Sequence, residues 1–373
     1  MNILDFYEDD FTQAMQKALD SDEPELFLPA GEYVTNKPLV IRSNTKLVLD
    51  KNARIKAGDG VLAHRGDFLL CNRAGLRGDE NITIIGGTWD GNYSANPKSA
   101  MYDENGFSGA LVNFVNVRGL TLRDMTLHNA SAYFTRLARL DGFTVEDIRF
   151  SHDVNLGNND GVHLGGCCEN GVIRRISCLT PGTTRDDLIA LNADDSIVRT
   201  ENQDLVRGYI RNVLVEDVST DECHCLVRLL SVTAEISNVT IRNIRGGCRS
   251  NAINMDAARY CRAPLVALDD PSYVNGVGNI RNVVIDGMDV TVPSKNPLIC
   301  AESNCGSFVL RNFTRAEGES PTVFLRNISP SRIQVRGLSD GSPDIDVKTD
   351  YGETFTLPSV GFDYFSIDTE DMN

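Results

Sequence analysis

Basic residues are scarce in this 373-residue chain. It carries 36 Lys and Arg against 52 Asp and Glu, a formal net charge of −16. A field of that sign repels polyanions. Nucleic acid is therefore not an expected partner, and an acidic ligand would need a local basic cleft. No apolar run is long enough to span a membrane. The opening residues Met1-Asn2-Ile3-Leu4-Asp5-Phe6 lack a basic segment followed by an apolar one, so no secretory leader is read there and a cytoplasmic location is expected. The ten cysteines lack zinc-finger or CxxC spacing; the close pairs are Cys167-Cys168 and Cys223-x-Cys225. They read as small hydrophobes in a reduced core, and no metal or cofactor is expected.

What is present is a repeat. One half recurs as Asn81-Ile82-Thr83-Ile84, Gly119-Leu120-Thr121-Leu122, Gly142-Phe143-Thr144-Val145, Gly171-Val172-Ile173, Asn212-Val213-Leu214-Val215, Asn238-Val239-Thr240-Ile241 and Asn282-Val283-Val284-Ile285. Apolar residues alternate after a small or turn-forming residue, the pattern of a half-buried strand. The other half recurs around Arg136, His163, Ala190, Arg228 and Asn254, at offsets of 27, 27, 38 and 26 residues. Strand and turn at this period, with no helix between, predict an all-β chain folded as a right-handed parallel β-helix. Asp10 to Leu19 has helical spacing with Asp10 as N-cap, and predicts a short amino-terminal capping helix. Residues 1–373 are expected to form one β-helical domain, with helix and cap strands over 1–50 and a carboxy-terminal cap over 339–373. Excursions at 92–109, 194–204 and 256–278 are expected to wall a cleft.

Two acidic runs stand out, Asn158-Asn159-Asp160-Gly161 and Arg185-Asp186-Asp187, each leading into a short apolar strand. On neighbouring strands of a stacked sheet they would lie about 4.8 Å apart. Three carboxylates so crowded cannot all keep ordinary pKa values, which suits acid–base chemistry on a glycosidic bond. The lane Arg136, His163, Ala190, Arg228, Asn254 should point away from the core and form a cleft floor; an ordinary solvated face is the alternative. The aspartates, for their part, could be turn residues satisfying backbone N–H groups at a coil corner.

These motifs are similar to those of the polygalacturonases of glycoside hydrolase family 28 and related pectin-lyase-like proteins. Leu28-Pro29-Ala30-Gly31-Glu32-Tyr33 and Gly86-Gly87-Thr88-Trp89-Asp90-Gly91-Asn92 resemble theirs. Asn158-Asn159-Asp160-Gly161 matches their Asn-Thr-Asp motif, and Asp186-Asp187-Leu188-Ile189-Ala190-Leu191 their Asp-Asp motif. The resemblance spans roughly Asp10 to Arg245. It implies an inverting hydrolase of a pectic, uronic-acid-containing oligosaccharide, with Asp186 as general acid and Asp160 and Asp187 holding the attacking water. Inversion implies about 6.5–9.5 Å between the acid and the base carboxyls. The chain departs from the family where Gly-His-Gly and Arg-Ile-Lys are expected. It has Cys223-His224-Cys225-Leu226-Val227-Arg228 on one coil, and Asn251-Ala252-Ile253-Asn254 where the basic pair would stand. His224 aligns with Asp186 and joins the catalytic candidates. Asn158, His163, Arg136, Arg228, Asn254 and Asn192 are the candidate substrate-binding residues. A β-helix lyase using calcium, with Asp194 and Asp195 as extra oxygen ligands, or a carbohydrate-binding β-helix, is the alternative. A homo-oligomer is compatible with the sequence.

Overall fold

The computed structural model describes residues 1–62, 66–97, 110–194, 206–256, 278–301, 308–314 and 319–325. Beyond these it describes the strands Ile333–Arg336, Ile345–Thr349, Thr354–Leu357 and Tyr364–Ile367.

The repeat seen in the sequence is a repeat of corners. Asn81, Gly119, Gly142, Asn170, Asn212, Asn238 and Asn282 all have φ between 52° and 73°. Five residues after each comes a second left-handed residue: Gly86, Asp124, Asp147, Arg175, Asp217, Asn243 and Gly287. Asn, Asp and Gly tolerate this region best, which is why they recur there. Between the two corners the chain is extended and pairs in parallel with the coils on either side, as in Leu120 with Phe143, Phe143 with Gly171, Gly171 with Val213 and Val213 with Val239. At one step a ring takes the place of a side chain. A Cβ on Gly171 would lie 1.9 Å from Phe143 Cζ.

A second sheet carries the lane around residue 163. Thr135, Val162, Ile189, Val227, Ile253 and Ile299 pair in succession. So do Leu137, Leu164, Leu191, Leu229, Met255 and Ala301. Both rows are buried in one continuous apolar core, apart from the single hydroxyl of Thr135, which is buried as well. The result is a parallel β-helix. Burial of these rows, at about 25 cal/mol per Å² of apolar surface, is the main drive for stacking one coil on the next.

The helix Phe11–Asp20 closes the amino-terminal end. Asp10 caps it by accepting from the N–H of Thr12 at 2.6 Å and of Gln13 at 3.3 Å. Phe11, Met15, Ala18 and Leu19 face the core. The amide of Gln16 pairs with both backbone groups of Val40, at 2.9 and 3.0 Å, so a side chain completes part of the ladder there. At the other end the strand direction reverses. Thr354–Leu357 runs antiparallel to Ile345–Thr349, and Tyr364–Ile367 runs antiparallel to both Phe308–Phe313 and Ile333–Arg336. The eight described cysteines are free thiols, five of them buried.

Along one outer face, charges alternate coil by coil. Arg123, Glu146, Arg174, Glu216, Arg242, Asp286 and Arg311 are successive ladder partners. The closest contacts are Arg174 to Glu146 at 2.6 Å, Arg242 to Glu216 at 2.5 Å and Arg311 to Asp286 at 2.7 Å.

The corner at Asn238 offers a test of what the repeat depends on. Its Nδ2 donates to Asn212 Oδ1 at 3.0 Å, and its Oδ1 accepts from Asn282 Nδ2 at 3.1 Å. Asn238→Val loses both bonds and forces a β-branched residue to φ 54°, at an expected cost of about 2–4 kcal/mol. Asn238→Gly loses the bonds but keeps the backbone, and should cost about 1–2 kcal/mol. Urea unfolding of both variants measures the difference. Equal losses would show that the left-handed corner is not the constraint.

Candidate active site

The three aspartates lie where each coil leaves one sheet and enters the strand of the lane. Asn158 holds a left-handed backbone with φ 55°. Asn159 is buried and donates from Nδ2 to the carbonyl of Ala132 on the preceding coil. Gly161 has no room for a side chain, because a Cβ there would lie 2.5 Å from the Leu188 carbonyl oxygen and 2.7 Å from Phe150 Cε2. That close approach lets Gly161 N donate to Asp187 O at 3.0 Å. One coil further on, His224 N donates to Asp186 O at 3.2 Å. Asp160, the Asp186-Asp187 pair and His224 therefore occupy three consecutive rungs.

The side chains converge. Asp160 Oδ2 lies 2.5 Å from His163 Nδ1, and its Oδ1 accepts from the Asp187 N–H at 3.2 Å. The His163 ring stacks on Tyr133 with centroids 4.3 Å apart. Asp187 is 1% exposed, with Oδ2 3.4 Å from Arg228 Nη1 and Oδ1 3.7 Å from His224 Nδ1. Asp186 is 25% exposed and His224 43%, and Asp186 Oδ1 is 3.8 Å from the same Nδ1. At 3.7–3.8 Å these are charge contacts rather than hydrogen bonds.

Burial pushes the Asp187 carboxyl above its ordinary range, and the nearby charge of Asp160 adds to this; Arg228 and His224 oppose it. His224 is pushed up, first by Asp187 and then by Asp186, against a burial that favours its neutral form. Asp187 and His224 thus each hold a proton more tightly than the isolated groups would. An oxygen of Asp186, an oxygen of Asp187 and a ring nitrogen of His224 lie within 4.8 Å of one another, close enough to share a cation. Acidic rims of this kind are also common without one.

Several expectations change. Arg136, His163, Ala190, Arg228 and Asn254 do pair in register along one lane. They do not form an open floor. His163, Ala190 and Asn254 are buried, as are Asn158 and Asn192. His163 is covered by Tyr133 and held by Asp160, and Asn254 Nδ2 donates to Asp256 Oδ2 at 3.2 Å. Arg136 stands one coil before His163, its Nε donating to Asn113 Oδ1 at 2.8 Å and its guanidinium over the Phe68 ring. One oxygen of Asp186 and one of Asp187 lie within 4.8 Å of each other. Asp194 is no free calcium ligand. Its carboxylate accepts from the N–H groups of Val232, Thr233 and Ala234 and from the Thr233 hydroxyl, at 2.5–3.0 Å. Asp195 lies outside the described residues.

Two participants were missed in the sequence. Tyr133 gave no signal beyond preceding an apolar run. Asp256 was read only as the start of an excursion, although it stands two residues after Asn254 in the lane strand Ile253–Asp256. Its Oδ1 accepts from Arg228 Nε at 2.9 Å.

No protein-family pattern matches the chain, and no curated protein matches it in sequence. Solved structures do resemble it. The Family 28 exopolygalacturonase of Yersinia enterocolitica is 14% identical, over 93% of this chain and 73% of that one, with a TM-score of 0.55. The A-module of the mannuronan C-5 epimerase AlgE6 of Azotobacter vinelandii is 14% identical over 87% and 89%, with a TM-score of 0.57. PfbA, a surface adhesin of Streptococcus pneumoniae, is 14% identical over 87% and 82%, with a TM-score of 0.58. These likenesses establish the fold, a right-handed parallel β-helix.

The raised His224 value has a consequence for stability. A histidine whose folded pKa is raised stabilises fully below its ordinary value of about 6.5, and the contribution is lost as pH rises through the folded value. The difference in Tm between the protein and His224→Gln should therefore be larger at about pH 6 than at about pH 9. A difference that does not change with pH would show that His224 carries no extra proton in the fold.

Proposed function

We propose that the protein is a glycoside hydrolase acting on a uronic-acid-containing oligosaccharide, with Asp186 as proton donor. The observation that supports this reading is the convergence of Asp160, Asp186, Asp187 and His224 from three consecutive coils. Asp186 is the more exposed of the two adjacent carboxyls and so the one able to reach a leaving-group oxygen. His224 stands beside both and can pass a proton from solvent to Asp186 after Asp186 has given its own to the leaving-group oxygen. Asp160 and Asp187, on neighbouring coils, would together hold and activate the attacking water.

The acidic substrate follows from the local charge. Arg249 is a part-exposed cation at this rim, 3.5 Å from Glu222, and His224, whose proton affinity is raised, is part-exposed there too, in a molecule whose net charge is −16. Arg249 Nη2 donates to the carbonyl of Arg185, beside Asp186. A carboxylate-bearing sugar would find attraction there. Arg136, on the coil before His163, is a candidate contact further along the sugar chain.

The fold alone also accommodates epimerases and adhesins, so product analysis decides. Incubation with pectic and other acidic oligosaccharides should yield new reducing ends without an unsaturated, ultraviolet-absorbing product. Proton NMR of the first-formed product should show inverted anomeric configuration. Asp186→Asn is isosteric yet cannot give up a proton. It should lower kcat by about 10²–10⁴-fold while leaving Tm nearly unchanged. Near-normal turnover in a stable Asp186→Asn variant would rule out its role as the acid. Asp160→Asn should fall comparably, through loss of water activation.

A further inference from the structure

Arg228 occupies a lane position that the sequence marks as a candidate substrate-binding residue. The structure shows the guanidinium committed elsewhere. Nε donates to Asp256 Oδ1 at 2.9 Å, and Nη1 stands 3.4 Å from Asp187 Oδ2. Asp187 is on the coil before Arg228 and Asp256 on the coil after. Leu230, two residues past Arg228, is the ladder partner of Asp256. Asp256 is 0% exposed. Its second oxygen accepts from Asn254 Nδ2 at 3.2 Å, which fixes the carboxylate plane.

A guanidinium is a rigid planar fork, so a partner on one side sets where the other side points. Here Asp256 holds the Nε side, and the Nη1 side then meets Asp187. Two buried carboxylates sharing one cation is an arrangement in which neither can be lost independently. Removing one leaves the guanidinium the other; removing both takes away both carboxylates that face it here.

We infer that Asp256 is a positioning residue for the candidate active site: it orients Arg228 so that Arg228 anchors Asp187 beside His224 and Asp186, and it withholds that guanidinium from the substrate. The inference rests on the hydrolase reading for its effect on turnover, but not for the linkage itself. It also changes the source of specificity. A sugar carboxylate would be met at the rim by His224 and Arg249, and Arg228 would act on the reaction only through Asp187.

Two measurements test this. The first needs no turnover. Urea unfolding is compared for the full chain, Asp187→Asn, Asp256→Asn and the double variant. With a shared guanidinium the double variant loses more than the sum of the two single losses in unfolding midpoint; a loss equal to the sum overturns the linkage. If the double variant does not fold, Asp256→Asn is made in an Arg228→Met background. There the carboxylate of Asp256 has lost the Arg228 guanidinium, so Asp256→Asn should cost clearly less than it does in the full chain; an equal cost in the two backgrounds overturns the linkage. The second measurement uses a substrate that the wild type cleaves. Asp256→Asn should lower kcat by about tenfold to a hundredfold, with KM within about twofold, and Asp256→Glu should recover part of the loss. A rise in KM confined to carboxylate-bearing substrates, with kcat unchanged, would make Arg228 a substrate clamp and overturn the positioning role. A wild type that cleaves no glycan would sink the hydrolase reading, and the unfolding comparison would still decide the linkage.

Discussion

Parallel coils stack at about 4.8 Å, and that spacing governs the molecule. Every residue faces its own counterpart on the coils above and below, so each position must be a type that tolerates a near-copy of itself at that distance. Aliphatic residues do so readily, and they form the two rows that flank the lane from Thr135 and Leu137 onward. Asparagine does so because its amide is both donor and acceptor, as in the run Asn170, Asn212, Asn238, Asn282. Ionised groups of one sign do not. The fold answers this on the outer face by alternating sign. At the candidate site it breaks the rule, placing Asp160 one coil from Asp186 and Asp187. Burial raises the proton affinity of Asp187, with the charge of Asp160 adding to it, and the carboxylate of Asp187 in turn raises that of His224.

The same spacing explains what was legible in the sequence. Strand periodicity and turn residues identify which side of a strand a residue occupies and which residues share a rung. Hence His224 was matched with Asp186, and the lane from Arg136 to Asn254 was found in register. Periodicity does not tell what lies over the side facing away from the core. His163 leaves the apolar rows as expected, yet Tyr133 and Asp160 bury it. Asn254 leaves them too and is held by Asp256. Asp194 shows the opposite error. Its acidity drew a metal-ligand reading, whereas its oxygens satisfy a turn's backbone N–H groups. Asp256 went unnoticed because its partner, Arg228, is 28 residues away. No local pattern links them; only coil stacking does.

The site also separates burial from access in a way that assigns work. The carboxyls of Asp187 and Asp256 have almost no contact with solvent. They can shape the field but cannot touch a sugar. Asp186 and His224 sit at the edge of the same network with a quarter to nearly half of their side chains exposed. A charged set arranged this way is stiff where it is buried and accessible at its rim. Little reorganisation is then needed when charge develops at the rim.

The alternating ladder of Arg123, Glu146, Arg174, Glu216, Arg242, Asp286 and Arg311 limits how such a chain can change its length over evolutionary time. A solenoid is usually pictured as growing or shrinking one turn at a time. Deleting the turn that bears Arg174 would set Glu146 directly against Glu216, and duplicating it would set one arginine against another. Along this face, adding or removing two coils preserves the alternation of sign, whereas adding or removing one does not, so the charge pattern has a period of two coils even though the fold repeats after one.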